Sequence, residues 1–429
     1  MFATPTMHVT DEKEGVGAAA IETALRRFGS PLYLVFESTL RSQYRLLKSA
    51  LERQYPHSAI AYSFKTNYLR RICEVFKDEG ARAEVVSGFE YTLAKRLGYT
   101  GGNIIFNGPH KTDADLREAF LDGALVNLDS AEEIERAHTL AISLNEHVPI
   151  GLRLSSSALA EMVRERKQMR ERGREGLFER FGFNLENGDA EAAIERIQEV
   201  GSLRLLGYHM HIASESIADM DIFKLATEMV ADFAKRMQEK TGIAPSYIDM
   251  GGGFIDPNLR KAAIRSQFSL DEFLETTSSI LTTRFSSLPL LLFEPGRFLV
   301  ARSMLHAVRV VSIKKLGPRR IVTVDSSSSF IPTARLSRHD IYALHRDAPT
   351  IESVVVGSSC TGHDVFGTYQ LPELREGHIL VVKDCGAYAL SRSSQFIFPR
   401  PAVVWVDEKG AMSLARRAET ADDLTRLDA

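Results

Sequence analysis

One rhythm repeats through more than half of this 429-residue chain and constrains its fold more than any other feature. Short apolar, β-prone runs alternate with amphipathic helical stretches from about residue 58 to 295. Eight such runs lie at 59–64, 82–87, 103–108, 124–130, 149–155, 205–212, 246–252 and 288–296. Strands that alternate with helices pair in parallel, and eight units fit a closed (β/α)8, TIM-like barrel. An open doubly wound sheet is the alternative, and it requires a switch point in the strand order.

Polar and glycine residues cluster at the carboxyl ends of these runs. The set comprises Lys65, Ser87, Asn107, Arg153, His211, Gly251–Gly253 and Glu294–Arg297. In a barrel the carboxyl ends of all strands meet at one face, and active sites form there. A purely structural barrel has no need for ionisable groups at that face. The placement therefore predicts a functional site built from these residues.

The rhythm changes past residue 296. Segments such as HAVRVVSIKKL, RRIVTVDSS and HILVVKDCGAY read as strands separated by turn residues, with few long helical stretches. We therefore predict an α/β chain with two domains. The (β/α)8 barrel covers 31–295, and a C-terminal, mostly-β domain covers 296–429 and is joined by the N-terminal segment 1–30.

One connection inside the barrel region is unusually rich in charge. Residues 158–183, ALAEMVRERKQMRERGREGLFERFGF, carry many side chains of both signs. The favoured interpretation is a solvated helix with salt-bridged faces. The alternative is a mobile flap over the site, held by the RFGF turn at its end.

The composition argues against several classes of partner. With a net charge of −3, the chain has no basic footprint for nucleic acid or for an acidic membrane surface. Its N-terminus lacks a secretory signal, and no apolar run approaches the ~18 residues of a membrane-spanning helix. Cys73, Cys360 and Cys385 are odd in number and widely spaced, as in a reducing compartment. We expect a cytoplasmic protein.

Lys65 ends the first run, in AYSFKTNY. A lysine at the carboxyl end of a barrel strand can lose solvent, which lowers its pKa and makes its amine available to condense with a carbonyl group. Taken alone, such a lysine is more often an edge residue that reaches water. The other polar residues at the carboxyl ends of the runs favour the role of Lys65 as a reactive amine.

Two further motifs supply groups for a bound anion and a ring. The triplet Gly251–Gly253 follows a predicted strand, and its backbone N–H groups could cradle a phosphate. It lacks the Lys-Ser/Thr of a P-loop, so a nucleoside triphosphate is not indicated. In Glu294-Pro295-Gly296-Arg297, the carboxylate could pair with a protonated ring nitrogen and the guanidinium with a phosphate. An internal Glu–Arg salt bridge is the simpler reading of this motif alone.

His209 and His211 alternate along one strand, so both point the same way. A pair of this kind suggests zinc. No third histidine, cysteine or carboxylate stands at a supporting spacing, and Ser214 just beyond suits a phosphate better. We therefore predict no metal site.

The order of these motifs resembles that of a known family. YSFKTN around Lys65, HMHIAS at 209–214, GGGF, EPGR, GSSCTGHD around Cys360 and GAY at 386–388 follow one another as in the fold type III, alanine-racemase-like pyridoxal-phosphate decarboxylases. The nearest branch is diaminopimelate decarboxylase. The resemblance covers about residues 30–420.

The resemblance implies a role for each matching residue. Lys65 would hold pyridoxal 5'-phosphate covalently, with Glu84 near the cofactor, His211 stacked on its ring and Glu294 paired with the ring nitrogen. The phosphate would be bound by Ser214, Gly251, Gly252, Gly253, Gly296, Arg297 and Tyr388. Cys360 and Asp364 would reach the active site of the partner subunit in a homodimer, where the cysteine returns a proton to the α carbon. Arg153 belongs to the expected substrate site.

Several positions depart from the pattern of the diaminopimelate branch. Near the cofactor, Ala213 replaces a usual glycine, Glu84 a usual aspartate, and Ser358 a usual proline. At the substrate's far end, Thr361 stands where an acidic residue usually binds the distal amine. The arginine that usually grips the distal carboxylate falls at Thr333, although Arg335 or Arg338 could substitute.

These losses lead us to expect a related amino acid or conjugate as the substrate, in a specialised pathway such as siderophore synthesis. Diaminopimelate decarboxylation in lysine biosynthesis is one alternative. An amino-acid racemase is another, but racemases of this fold place an arginine against the ring nitrogen, whereas Glu294 favours decarboxylation. A non-catalytic regulatory homologue is the third alternative, and retention of Lys65, Glu294 and Cys360 argues against it.

Overall fold

A computed structural model of the chain describes residues 17–166, 180–212, 220–253, 269–335, 338–344 and 349–428, with the side chains of Arg166 and Arg335 excepted. The strands are β1 (Leu32–Phe36), β2 (Ser58–Ser63), β3 (Arg82–Val85), β4 (Ile104–Phe106), β5 (Leu125–Leu128), β6 (Val148–Ser155), β7 (Phe183–Asn184), β8 (Leu203–Met210), β9 (Tyr247–Asp249), β10 (Leu290–Phe293), β11 (Met304–Leu316), β12 (Arg319–Val324), β13 (Ile341–Ala343), β14 (Ile351–Val356), β15 (Val365–Leu371), β16 (Ile379–Val382), β17 (Ala402–Val406) and β18 (Met412–Arg416).

The α-helices are α1 (Ala18–Phe28), α2 (Glu37–Gln54), α3 (Arg70–Asp78), α4 (Gly88–Arg96), α5 (Asp113–Asp122), α6 (Ala131–Leu144), α7 (Ser157–Arg166), α8 (Asp189–Val200), α9 (Met220–Thr241), α10 (Leu270–Arg284), α11 (Arg297–Val300), α12 (Ala389–Arg392) and α13 (Ala421–Thr425). Among the described helices, none has the length and apolar character needed to cross a membrane. Capping boxes start two barrel helices, because Thr112 and Asp115 open α5 and Ser269 and Glu272 open α10.

Eight parallel strands close into the predicted barrel. Their order is β2, β3, β4, β5, β6, β8, β9 and β10, after which β10 pairs with β2. Each of the eight apolar runs supplies one strand, and β7 adds a short pairing to the end of β6. Small and large apolar side chains fill the interior together, among them Ala61, Ile105, Leu125, Tyr247 and Leu292. The closed (β/α)8 barrel is therefore confirmed, and the open doubly wound alternative is wrong.

The second compact unit is built on a nine-stranded mixed sheet. Its main path runs β15, β14, β12, β11, β1, β17 and β18, and β16 joins β11 and carries β13. Helix α1 packs on this sheet through Ile21, Ala24 and Leu25, which lie in one apolar cluster with residues of β1, β11, β16 and β17.

The boundary between the two units differs from the predicted one at residue 31. The sheet unit takes the described residues up to Ser42, Leu69–Ile72 and those from Leu299 on, and the barrel unit takes Gln43–Tyr68 and Cys73–Phe298. Strand β1 is the reason, because it pairs antiparallel with β11 and parallel with β17. All five of its residues are buried, as expected for a central strand covered on both faces.

Candidate active site

Lys65 lies in a single 3-10 turn, Phe64–Thr66, directly after β2. Its Nζ donates to Oε2 of Glu84 at 2.5 Å, and its side chain remains 33% exposed. Glu84, which comes from the adjacent strand β3, is almost fully buried. The amine therefore reaches the rim of a cavity of about 440 Å³ at the carboxyl ends of the barrel strands. Its lining includes Lys65, Glu84, Asn107, Arg153, His209, His211 and Glu294.

Two glutamates from different strands share one amide. Asn107, just after β4, donates through Nδ2 to Oε1 of Glu294 at 2.6 Å and to Oε1 of Glu84 at 3.2 Å. All three side chains are buried. Asn107 belonged to the predicted polar face, but sequence reasoning gave it no role in the site. Its contacts link the carboxylate beside Lys65 to the carboxylate predicted for the ring nitrogen.

A buried cluster of three proton-binding groups lies beneath Glu294. Nε2 of His209 is 3.5 Å from Oε2 of Glu294, and Asp249 completes a group whose ligand atoms lie within 4.8 Å of one another. Burial, together with the negative charge of Glu294, raises the pKa of Asp249 well above its ordinary value. Although burial alone would raise it, the pKa of Glu294 is lowered by His209 and Lys65 nearby. The pair therefore holds one proton, on Asp249, and Glu294 stays ionised.

This cluster corrects one step of the sequence argument. We saw no third ligand at a spacing that would support zinc at His209, yet the barrel brings Asp249 and Glu294 to it from β9 and from the end of β10. Sequence spacing could not reveal this, because the three residues come from three different strands. The absence of a metal at His209 stays a prediction, although three candidate ligands do meet there.

His211 and the glycine triplet form one wall. The backbone N–H of Gly252 donates to Nδ1 of His211 at 3.2 Å, so Nε2 is the nitrogen that bears hydrogen. Burial, with the positive charges of Lys65 and Arg153, lowers the pKa of His211 to about 3. The imidazole is therefore neutral near pH 7 and offers a flat apolar face rather than a charge.

The glycines at this wall have no room for side chains. A Cβ on Gly252 would lie 2.0 Å from the carbonyl oxygen of Glu294, and one on Gly296 would lie 1.9 Å from Oγ1 of Thr66. Gly251 and Gly253 adopt positive φ angles of 65° and 106°. Arg297 follows as the first residue of α11 and is half-buried. The N–H groups of Gly251 and Gly252 already donate to Asp249 and His211, so what these glycines offer an anion is close approach to the backbone. Ser214, predicted to bind the phosphate with them, lies outside the described residues.

Arg153 and Arg180 flank the aromatic ring of Phe181 on the cavity wall. Their guanidinium carbons lie 4.4 Å and 4.2 Å from the ring centroid. Arg153 also donates to Asp129 at 3.3 Å, whereas Arg180 is exposed. Arg180 and Phe181 belong to the predicted 158–183 connection, in which Ser157–Arg166 forms α7 and residues 167–179 lie outside the described part of the chain.

Further predicted site residues lie in the sheet unit. Cys360 is exposed in the loop between β14 and β15. Asp364 anchors that loop, because its two carboxylate oxygens accept from the backbone N–H groups of Ser328 at 2.6 Å and Ser359 at 3.1 Å. Burial opposes it, but these hydrogen bonds lower the pKa of Asp364. Thr361 lies within the same loop, where its hydroxyl oxygen accepts from the N–H of His363 at 3.4 Å.

The other sheet-unit positions have different surroundings. Thr333 is buried, and its hydroxyl is 2.9 Å from Nε2 of His339, whose Nδ1 is 2.9 Å from the carbonyl oxygen of Lys383. Tyr388 has a φ of 62° and precedes α12. The side chain of Arg335 is outside the described part of the structure. The hydroxyl of Thr333 therefore already has a hydrogen-bond partner, His339, within the sheet unit.

Comparisons with known proteins agree on one family. The model of the family described as "Pyridoxal-dependent decarboxylase, pyridoxal binding domain" matches residues 37–301. Diaminopimelate decarboxylase of Methanothermobacter thermautotrophicus is 31% identical over 420 residues, covering 96% of this chain and 94% of the relative. That of Actinosynnema pretiosum is 32% identical over 427 residues, covering 96% and 91%. A crystal structure of diaminopimelate decarboxylase from M. jannaschii with L-lysine superposes with a TM-score of 0.85 at 26% identity, covering 96% and 94%.

Proposed function

Because this chain belongs to the pyridoxal-dependent decarboxylases and is an amino-acid decarboxylase that uses pyridoxal 5'-phosphate, we propose that Lys65 holds the cofactor and that diaminopimelate is the substrate. The observation that carries the cofactor assignment is the position of Lys65 on the same cavity as the buried, ionised Glu294. Relatives named diaminopimelate decarboxylase support the substrate. The specialised pathway expected from the sequence is the second candidate.

The residues of the barrel cavity fit the three reactive parts of the cofactor. Lys65 offers an amine to an aldehyde, and Glu294 offers a buried negative charge to a basic ring nitrogen. Arg297 offers guanidinium N–H groups to a phosphate, beside a wall where side chains on Gly251 and Gly252 would collide with the protein. His211 offers a neutral face to an aromatic ring.

The bound cofactor supplies an electron sink for the bond to the leaving carboxylate. Ionised Glu294 holds a proton at the ring nitrogen, and protonated Asp249 keeps that ionisation in place. Glu84 would accept from the ammonium of Lys65 once the substrate amine has displaced that lysine from the cofactor. Loss of the carboxylate is favoured over racemisation because a carboxylate, not an arginine, faces the ring nitrogen.

Cys360 completes the proposal as the residue that returns a proton to the α carbon. Its thiol is exposed, and Asp364 fixes the loop that carries it. We propose that the chain works as a cytoplasmic homodimer in which Cys360 of one subunit serves the cavity of its partner. All three cysteines are free thiols, as a reducing compartment requires.

Arg180 is our candidate for the distal carboxylate of diaminopimelate. It is exposed on the cavity wall, and stacking on Phe181 orients its guanidinium. The threonine that replaces the expected arginine, Thr333, is buried and bonded to His339. We expect Arg180→Gln to raise KM for diaminopimelate at least tenfold, while Arg164→Gln on α7 leaves it within twofold. An unchanged KM for Arg180→Gln would remove this assignment.

The second candidate is a related amino acid or conjugate from a specialised pathway. Two positions favour it. Thr361 stands where an acidic residue is usual, and the hydroxyl of Thr333 is already hydrogen-bonded to His339. These two positions are where a diaminopimelate enzyme is expected to grip the far end of its substrate.

The deciding assay measures CO2 and lysine from the meso, LL and DD forms of diaminopimelate with the purified, cofactor-loaded protein. We expect equal amounts of CO2 and lysine from one stereoisomer, and none from a Lys65→Ala protein. Epimerised diaminopimelate without CO2 would indicate a racemase instead. No turnover of any form, with CO2 released from a citrate-linked diamino acid, would favour the second candidate.

A further inference from the structure

A chain of buried polar side chains crosses the barrel from β9 to the site. Oη of Tyr247 donates to Oδ1 of Asn127 at 2.5 Å, and Nδ2 of Asn127 donates to Oδ1 of Asn107 at 2.8 Å. Asn107 then donates to Glu294 and Glu84, at 2.6 Å and 3.2 Å. None of the five side chains is more than 3% exposed. One continuous polar path therefore runs through the barrel beside the apolar cluster around Ala61 and Leu292.

Two glycines open the way for this path. Tyr247 lies on β9 and Asn127 on β5, and strands β6 and β8 stand between them in the ring. A Cβ on Gly151 of β6 would lie 1.7 Å from Oη of Tyr247 and 2.2 Å from Oδ1 of Asn127. A Cβ on Gly207 of β8 would lie 2.2 Å from the carbonyl oxygen of Tyr247. Side chains at either position would break the path, so the barrel is built around it.

The path has a fixed direction. Burial raises the pKa of Tyr247 well above its ordinary value, so its hydroxyl keeps its proton. Since both hydrogens of the Asn107 amide go to glutamate oxygens, its own oxygen accepts from Nδ2 of Asn127. The oxygen of Asn127 then accepts from the tyrosine hydroxyl. The two glutamates at one end and the tyrosine proton at the other therefore fix the orientation of both amides.

We propose that Tyr247, Asn127 and Asn107 form a positioning relay that holds Glu294 ionised and aimed at the cofactor ring. Each glutamate gives one oxygen to Asn107 and the other to a second neighbour, Nζ of Lys65 for Glu84 and Nε2 of His209, 3.5 Å away, for Glu294. Without the tyrosine hydroxyl, the amide of Asn127 is free to rotate and that of Asn107 can follow. An Asn107 oxygen turned towards Glu294 would repel its charge and favour its protonation. The inference rests on the proposed cofactor site at Lys65.

Tyr247→Phe tests the relay, because it removes one oxygen atom at a distance from the cavity lining. We expect kcat to fall at least tenfold with KM within twofold, and the visible circular dichroism of the bound cofactor to change. Tyr208→Phe is the matched control: Tyr208 is buried on the neighbouring strand β8, packs edge-to-face on Phe233 at 5.5 Å and is not part of the relay. Its kcat and spectrum should remain within twofold of the unsubstituted protein.

Asn107→Asp is the second variant and is nearly isosteric. An aspartate cannot donate to either glutamate, so kcat should fall at least a hundredfold and the visible spectrum should change in the same sense as for Tyr247→Phe. A Tyr247→Phe protein with the kcat and spectrum of Tyr208→Phe would overturn the relay. If the unsubstituted protein shows no cofactor bound through lysine, the proposed function fails instead, and the two failures are distinguishable by that spectrum.

Discussion

Replacing Glu90 by glutamine should remove a pH-dependent loss of stability beside the site. Glu90 lies in the first turn of α4, is 4% exposed, and accepts from the backbone N–H of Val86 at 2.8 Å. Burial, with the negative charge of Glu84, raises its pKa from 4.5 to about 7. The folded chain therefore holds this proton more tightly than the unfolded chain. The resulting stability is complete below pH 4.5 and is lost as the pH rises through about 7.

The difference between the two pKa values corresponds to about 3 kcal/mol at full ionisation. Glutamine keeps an oxygen for Val86 but cannot ionise. We therefore expect the stability advantage of Glu90→Gln to grow by roughly 2–3 kcal/mol between pH 5 and pH 8.5, or by about 3 °C in Tm for a chain of this length.

Thermal unfolding of both proteins across this pH range measures the effect, with Glu118→Gln on the exposed side of α5 as the control. Curves of Tm against pH that stay parallel for Glu90→Gln and the unsubstituted protein would refute the reasoning. A control that changed as much as Glu90→Gln would refute it equally.

Two other substitutions test the packing around the site. Gly252→Ala should weaken binding of pyridoxal 5'-phosphate at least tenfold in an absorbance titration. The reason is that a Cβ on Gly252 would lie 2.0 Å from the carbonyl oxygen of Glu294. The control is Gly102→Ala, where a Cβ would meet nothing within 4 Å and the cofactor should bind normally. Equal affinities would contradict the collision. Glu133→Gln leaves the buried ammonium of Lys111 without its carboxylate 2.9 Å away, and urea unfolding should show a loss of about 3–5 kcal/mol. If glutamine at an exposed glutamate of α6 lowered the free energy of unfolding as much as Glu133→Gln does, the pairing of Lys111 with Glu133 would be contradicted.

The fold was predictable because each barrel strand is a short apolar run with a helix after it. That pattern depends only on local periodicity, and all eight strands followed it. Strand β1 did not: Leu32–Phe36 has the same apolar character, but its partners are Ala402–Val406 and Met304–Ala307, more than 250 residues away. Local composition cannot choose between two sheets that both accept an apolar strand, so the domain boundary could not be predicted from it.

The site was predictable where its residues end strands. Lys65, His211 and Glu294 all follow apolar runs, and the barrel brings such positions to one face. Tyr247 and Asn127 could not be predicted in the same way, since they lie within strands and meet across the barrel 120 residues apart. The available signal was glycine inside strands, at Gly151 and Gly207, which marks a close approach by another group.

The assignment of Lys65 to the cofactor is tested most directly by reducing the loaded protein with borohydride and mapping its peptides by mass spectrometry. We predict one pyridoxyl group per chain, on Lys65, and none on a Lys65→Ala protein. Among the described residues, Lys65 is the lysine that lines the cavity, and Glu84 and Glu294 line it as well. A pyridoxyl group on any other lysine, with Lys65 unmodified, would contradict the account.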